Sequence, residues 1–423
     1  MTRTVLLLAY FFPPLNGADV QQTLKFAKYL PEYGYRPVVV TTRSRHYPAS
    51  DPTLLAELPG TVPVMRARDP AMLRWATLGF DYLGMAGPRA VVSWADGAAA
   101  WIPAATVLAL RATRRHRPSV ILSSAPPFAT HLAAWTTARR TGLPWVADFR
   151  DEFSANPHAE GRTTLIDRLN RWTERRVIAD AAGVVTVADY FMIEQAPPGS
   201  PRRVTVVNGV DEADLPDQTA APPSDRFRLS FVGTLYGDRD IEAVVGSLRR
   251  LTAAGTIDPD RCELRIVGSM WLREAPDAGP VPVVQTGYLD HLAALREMES
   301  ATVLLFYAPG SSPAPSGKIF EYLASERPIL CVARRDNLAV RLVVEWSAGL
   351  AAEPDSPRDI DAAIAQLYRR WENDDLPATR GTRRRVLERY SRRMLTGELA
   401  AALDAAIELG PPARASGRPA RRK

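Results

Sequence analysis

The sequence predicts an α/β protein built of two doubly wound parallel-sheet domains that face each other across a cleft. Three observations predict it. The chain has 423 residues, more than one ordinary hydrophobic core organises. Short apolar runs of the kind that form strands buried on both faces alternate with amphipathic helical stretches, which is the pattern of βαβ units. The alternation breaks once, in a proline-rich polar stretch at 213–226, and then begins again.

The elements follow in chain order. Val5-Leu6-Leu7-Leu8-Ala9-Tyr10 is a continuous apolar run, as a central strand requires. A loop over Phe11–Ala18 leads into an amphipathic helix over Val20–Tyr33, and Pro37–Thr42 is the next strand. Ser119–Ser123, Trp145–Asp148, Gly183–Val187 and Val204–Val207 continue the series. After the break, strands are predicted at Phe227–Gly233, Cys262–Gly268, Ala301–Phe306 and Pro328–Ala333, with helices over Ile241–Ala254 and Leu292–Glu299 between them. The predicted organisation is an N-terminal domain over 1–212, a linker over 213–226 and a C-terminal domain over 227–385. A helix over 386–409 that can pack back on the N-terminal domain follows, and a basic tail over 410–423, rich in Pro, Ala and Arg, reads as disordered.

Composition narrows the class. Hydrophobic content of 46% and charged content of 24% are those of a soluble globular protein. A net charge of +6 and a pI near 9.4 favour anionic partners such as nucleotides and phospholipid headgroups. No Arg/Lys stripe interleaves with aromatics, which speaks against nucleic acid. Cys262 and Cys331 lie in apolar strand-like runs, so buried free thiols in a reducing cytoplasm are predicted. The five histidines show no metal-ligand spacing. No segment reaches the roughly 18–20 uncharged residues of a membrane helix; Gly97–Leu110 is too short and contains Pro103. Val5–Phe12 reads as a strand rather than a signal peptide, because Pro13-Pro14 follow and no cleavage site appears.

The stretch Pro315-Ser316-Gly317-Lys318-Ile319-Phe320-Glu321-Tyr322-Leu323-Ala324 reads as a loop turning straight into a helix. A helix start attracts phosphate, Lys318 adds a charge there, and Glu321 one turn on can accept hydrogen bonds from sugar hydroxyls. The spacing is not that of a P-loop, since Ser312 and Ile319 stand where Gly and Ser/Thr belong. The alternative is a capped surface helix with solvated charges. Three further loops sit at predicted strand ends. Phe12-Pro13-Pro14-Leu15-Asn16-Gly17-Ala18 brings a glycine to a helix start, without the G-x-G-x-x-G spacing of dinucleotide binders. Asp148-Phe149-Arg150-Asp151 places three charges at the end of a buried strand, where they pair with one another or serve a ligand. Phe231 to Asp240 offers Gly233, Thr234 and Arg239; its Asp238-x-Asp240 pattern suits a helix cap better than a metal. Asn208-Gly209-Val210-Asp211 reads as a tight turn with positive φ.

Taken together, these pieces resemble the family 4 glycosyltransferases. The motifs are Tyr10–Pro14 with Gly17, Leu24–Leu30, Trp145–Asp151, Asn208–Asp211, Phe231–Tyr236 and Gly317–Ala324, over about Thr4–Leu409. The similarity is strongest to the bacterial subgroup that builds capsule, exopolysaccharide or O-antigen units. The resemblance implies the GT-B fold, two Rossmann-like domains, with acceptor on the N-terminal side and nucleotide-sugar donor on the C-terminal side. It implies retaining transfer without a metal or other cofactor, in the cytoplasm. Glu321 matches the glutamate that holds the donor ribose; Ser316, Gly317 and Lys318 match the diphosphate loop; Arg239 matches the basic residue at the leaving phosphates; Gly17 matches the glycine loop. Departures are Pro313 in place of the usual first glutamate, Thr234 in place of an Arg, Arg150-Asp151 in place of His-Asp, and a single glycine at Gly17. They touch recognition of the donor sugar more than the fold.

The resulting assignment has Arg239, Lys318, Asp151 and Arg150 as catalytic and Gly17, Asn16, Gly233, Thr234, Ser316, Gly317, Ile319 and Glu321 on the donor. Asp148, Trp94 and Trp101 are placed on the acceptor side. The apolar region Met72–Leu110, with Trp75, Phe80, Tyr82, Trp94 and Trp101, is either helical core or a face that meets a lipid-linked acceptor at an anionic membrane. Two other functions stay open: a nucleotide-sugar-binding scaffold subunit, and a GT-B-fold epimerase.

Overall fold

The computed structural model describes residues 2–43, 50–70, 97–153, 164–191, 193, 196, 200, 202–216, 225–235, 240–270, 276–310 and 316–410. Trp75, Phe80, Tyr82, Trp94, Asp238, Arg239, Pro313, most of the predicted linker and the tail from 411 onward lie outside the described residues. The chain divides into two compact units, Met1–Val207 with Leu395–Lys423, and Asn208–Met394.

The first unit is built on a parallel sheet of seven strands, β1 (Arg3–Ala9), β2 (Tyr35–Thr42), β3 (Val64–Ala67), β4 (Val120–Ala125), β5 (Trp145–Phe149), β6 (Gly183–Thr186) and β7 (Arg203–Thr205). Their order across the sheet is β3-β2-β1-β4-β5-β6-β7. Leu6 on β1 stands between Val38 and Ile121, and Leu122 pairs with Val146. Leu6, Leu7, Leu8, Val38, Ile121 and Val146 have no exposed surface, which explains the unbroken apolar runs. The helices between the strands are α1 (Ala18–Tyr29), α2 (Ile102–His116), α3 (Ala129–Thr141) and α4 (Thr164–Ile178). The helix predicted over Val20–Tyr33 ends sooner: α1 gives way at Leu30 to a 3-10 turn with Pro31 near its start, closed by Gly34 at φ 79°. Inside this unit Ser123 joins His131 (2.8 Å) and Trp145 (2.7 Å), a polar set that burial keeps neutral by pushing His131 down to about 3.

The second unit holds a parallel sheet of six strands, β8 (Phe227–Val232), β9 (Cys262–Val267), β10 (Val283–Gly287), β11 (Val303–Ala308), β12 (Ile329–Ala333) and β13 (Gly349–Ala352), in the order β10-β9-β8-β11-β12-β13. Its helices are α5 (Glu242–Ala253), α6 (His291–Glu299), α7 (Lys318–Ala324), α8 (Leu338–Glu345), α9 (Pro357–Glu372) and α10 (Thr382–Tyr390). The helix α11 (Arg392–Leu409) begins in this unit and continues into the first. Phe227, Leu229, Leu264, Ile266, Leu305 and Val332 fill the core with Ile360, Ile364 and Tyr368 of α9. Cys262 and Cys331 are buried free thiols, and burial pushes the Cys262 thiol up to about 12.

Asn208-Gly209-Val210-Asp211 is not the positive-φ turn its residues predict. Gly209 is absent from the left-handed glycines, and Val210 instead forms a parallel bridge with Ser391. Its N–H donates to Tyr390 (3.0 Å) and its carbonyl accepts from Arg392 (2.8 Å), so a strand-like pairing with a distant segment overrides the local turn preference. Among the described residues no helix is long and apolar enough to cross a membrane.

Candidate active site

In both sheets the chain order reverses once, at β1/β4 in the first unit and at β8/β11 in the second. Loops at the carboxyl ends of strands beside such a reversal are where open α/β sheets bind ligands.

In the second unit the reversal is held by Tyr322. Its hydroxyl is buried, accepts the Val232 N–H (2.9 Å) and lies against the carbonyls of Val232 (3.3 Å) and Leu305 (3.4 Å). One side chain of α7 thereby fixes the helix to the end of β8 and to the middle of the neighbouring β11. Glu321, the preceding residue, is half-buried. Its carboxylate accepts from Lys318 Nζ at 2.7 Å. Burial alone would raise the Glu321 carboxyl, but Lys318, then His291 and Arg392, outweigh it and hold the group below the usual carboxylate range. Glu321 is therefore a fixed anion at neutral pH. His291 in turn lies 3.3 Å from Asp214.

The turn before α7 is tight. Ile319 N–H bonds to the Ser316 carbonyl and Phe320 N–H to the Gly317 carbonyl, both at 3.2 Å, while Lys318 N–H points to Ser316 Oγ at 3.5 Å. These bonds take up amides that the sequence reading leaves for phosphate, and α7 itself has only seven residues. What this end of the helix offers is Lys318, Ser316 and the bare backbone of Gly317, which packs beside Asn208. Ile319 is wholly buried, so its side chain belongs to the core rather than to a ligand surface.

The neighbouring loop begins with Gly233 and Thr234. Gly233 N–H bonds to Val267 (2.9 Å), and Leu235 N–H to Ser269 (3.1 Å), so the loop runs along the end of β9. Arg239, assigned to the leaving phosphates, lies outside the described residues, as does Trp94.

In the first unit Asn16 Oδ1 accepts the N–H of Gly17 (2.7 Å), and Gly17 takes φ 137° at the start of α1. Thr23 of α1 donates to the Phe11 carbonyl (3.0 Å), and Asp51 N–H to the Pro14 carbonyl (2.7 Å), which brace this loop. Asp148 is fully buried at the end of β5, taking a hydrogen bond from Ser124 (2.7 Å) and pairing with Arg150 (3.3 Å). Arg150 also donates to the Val206 carbonyl (2.9 Å). Both are thus internal, and Asp151 is the exposed member of the trio. Trp101 is likewise in the core, its ring edge-on to Tyr10 at 5.2 Å.

The fold brings together Lys318, Glu321, Ser316 and Gly317 in the second unit, and Asp148, Arg150 and Asp151 in the first. Sequence reading missed His291, Asp214 and Arg392 beside Glu321, because only tertiary folding brings them close. It also missed Asp19, whose half-buried carboxyl faces Asp151, Arg150 and Asp148. Its position in the first helical turn reads as ordinary N-terminal acid, and no spacing marks it.

Residues 20–209 match the sequence model of the glycosyl transferase 4-like domain. No curated protein matches the chain in sequence. Similar solved structures include a sucrose-phosphate synthase of Thermosynechococcus elongatus (TM-score 0.66, 13% identity, 96% of this chain against 100% of that one). A glycosyltransferase of Rickettsia africae superposes with TM-score 0.63 at 13% identity, over 97% of this chain and 99% of that one. WaaG, a glycosyltransferase involved in lipopolysaccharide biosynthesis, superposes with TM-score 0.61 at 12% identity, over 94% and 99%. The two parallel-sheet α/β domains share the GT-B fold of these structures.

Proposed function

We propose that this chain, with its GT-B fold and glycosyl transferase 4-like domain, moves a sugar from a nucleoside-diphosphate sugar to a hydroxyl acceptor. The transfer retains the anomeric configuration and uses no metal. The acceptor is a glycan or lipid-linked sugar of bacterial polysaccharide assembly, met in the cytoplasm or at the inner face of the membrane. The observation that carries the reading is Glu321 beside Lys318, fixed by Tyr322 at the sheet reversal of the second unit.

An ionised Glu321 suits the paired hydroxyls of a donor ribose. Lys318 suits the diphosphate, with Gly317 giving it close approach. As the bond from the sugar carbon to the phosphate oxygen breaks, its electron pair leaves with the phosphate and the ring becomes oxocarbenium-like. Lys318 and Arg239 neutralise the growing charge; loss of one such preorganised contact typically costs about 10²–10³ in rate. The acceptor oxygen attacks from the same face and its proton passes to the departing phosphate oxygen.

The test is thermal unfolding of the full chain with nucleoside diphosphates and nucleotide sugars, beside Glu321→Ala. One nucleotide should stabilise the protein, by about 2.7 kcal/mol at a hundredfold excess over its Kd, and the variant should lose the effect. No response to any nucleotide would overturn the reading. Pro313, where family members carry a glutamate, favours a second reading, a nucleotide-sugar-binding subunit that does not transfer. That reading requires stabilisation by the donor without release of nucleoside diphosphate.

A further inference from the structure

The first turns of α1 hold two side chains that the fold leaves unexplained. Gln22 is 1% exposed, and neither its amide nitrogen nor its carbonyl oxygen has a hydrogen-bond partner among the described residues. A buried amide is seldom left so; water or a ligand completes it. Asp19 lies three residues earlier, on the same helical face. Helix side chains lean back toward the N-terminus, which directs position 22 of α1 toward the turn that carries Asp19.

Asp19 sits in an unfavourable field. Burial, then Asp151, push its carboxyl up, Asp148 adds to the effect and Arg150 opposes it, leaving the group at about 7. Three carboxylates thus face one guanidinium. An amide and a carboxyl that gains or loses a proton near neutrality present both donors and acceptors, the complement of sugar hydroxyls. The surplus of acid disfavours a phosphate or carboxylate at the same spot.

We propose that Asp19 and Gln22 form a subsite for the hydroxyl groups of an uncharged sugar, at the acceptor end of the transfer. This inference rests on the glycosyltransferase reading, from which it takes the acceptor role.

The consequence for stability has a definite sign. Folded Asp19 keeps a proton that the unfolded chain gives up at its ordinary carboxylate value near 4. Its burden on the fold therefore grows as pH rises from about 4 to about 7 and is complete above that. Asp19→Asn should match the wild type at pH 4 and unfold at least about 2–4 °C higher at pH 8. Gln22→Leu, which replaces an unpaired amide by an apolar group of similar size, should hold or raise Tm.

Binding is read on the full chain by saturation-transfer NMR with methyl α-glucoside, methyl α-galactoside, methyl α-mannoside and glucose 6-phosphate. A neutral glycoside should give a signal that both variants lose, glucose 6-phosphate a weaker one. Absence of signal from all neutral glycosides, or signal retained in both variants, would overturn the subsite, as would a Gln22→Leu variant that unfolds earlier than the wild type. The thermal response to nucleotides, read on the same samples, tells this failure from failure of the donor reading: lost nucleotide response with retained glycoside binding removes the donor, not the subsite.

Discussion

At Gly317 the backbone has φ −54° and ψ −23°, a conformation open to every residue. A Cβ placed there would lie 3.6 Å from Asn208 Cβ, an ordinary contact. Nothing among the described residues therefore requires glycine. In fact alanine narrows the unfolded ensemble and favours the helix, so Gly317→Ala should hold or raise stability by about 0.4–1 kcal/mol. A diphosphate resting on the bare backbone changes that conclusion. The added methyl would displace it, and displacement by an ångström costs on the order of 10²-fold in rate. The expected outcome is a variant with unchanged or higher Tm and much lower transfer, measured by release of nucleoside diphosphate. A variant as active as the wild type would place the diphosphate elsewhere. The same residue-scale view explains what remained hidden in the sequence. Lys318 and Glu321 were legible because helical spacing makes them neighbours. His291, Asp214 and Arg392 come from three separate segments, Gln22 is marked by burial and Asp19 by charged neighbours far along the chain, none of which a local pattern records.

At the scale of elements, the central strands were legible and several edges were not. β1, β4 and β12 are buried along every residue or nearly so, and each carries an apolar run, Val5–Ala9, Val120–Leu122 and Ile329–Ala333. β3, β10 and β13 lie at or near sheet edges with mostly half-exposed residues, so their sequences carry no such run and went unread. Loops are harder still, because their shape depends on contacts between elements. The loop after β8 shows this. Gly268, at the end of β9, has φ 130°, and a Cβ there would lie 2.1 Å from the Gly233 carbonyl oxygen. The conformation and the contact both exclude a side chain. Gly268→Ala should therefore destabilise the second unit by more than about 1 kcal/mol and shift the loop that carries Gly233 and Thr234. Thermal unfolding and nucleotide binding should fall together. Gly60→Ala is the control, since a Cβ at Gly60 meets nothing within 4 Å; an equal loss in both variants would refute the argument.

At the scale of the whole molecule, the chain begins in one unit, builds the second and returns to the first through α11. The return is specific. Asp404 of α11 accepts a hydrogen bond from the Tyr35 hydroxyl (2.6 Å) and pairs with Arg3. Gly397 leaves room for Tyr33, whose ring would lie 2.7 Å from an added Cβ. Leu395, Leu399 and Leu403 are 2%, 0% and 0% exposed. The ion pair is exposed and adds little, so apolar burial decides the matter. Three leucines contribute about 1.5–3 kcal/mol each, together close to the whole stability of a domain, about 5–15 kcal/mol. Residues 1–207 alone should then fail to fold cooperatively. The same residues joined to 395–409 by a flexible Gly/Ser linker should regain a single sharp thermal transition. Circular dichroism melting of the two proteins decides it. A cooperative transition in the shorter one would mean that the first unit is complete without α11, and that the helix is held there by an already finished core.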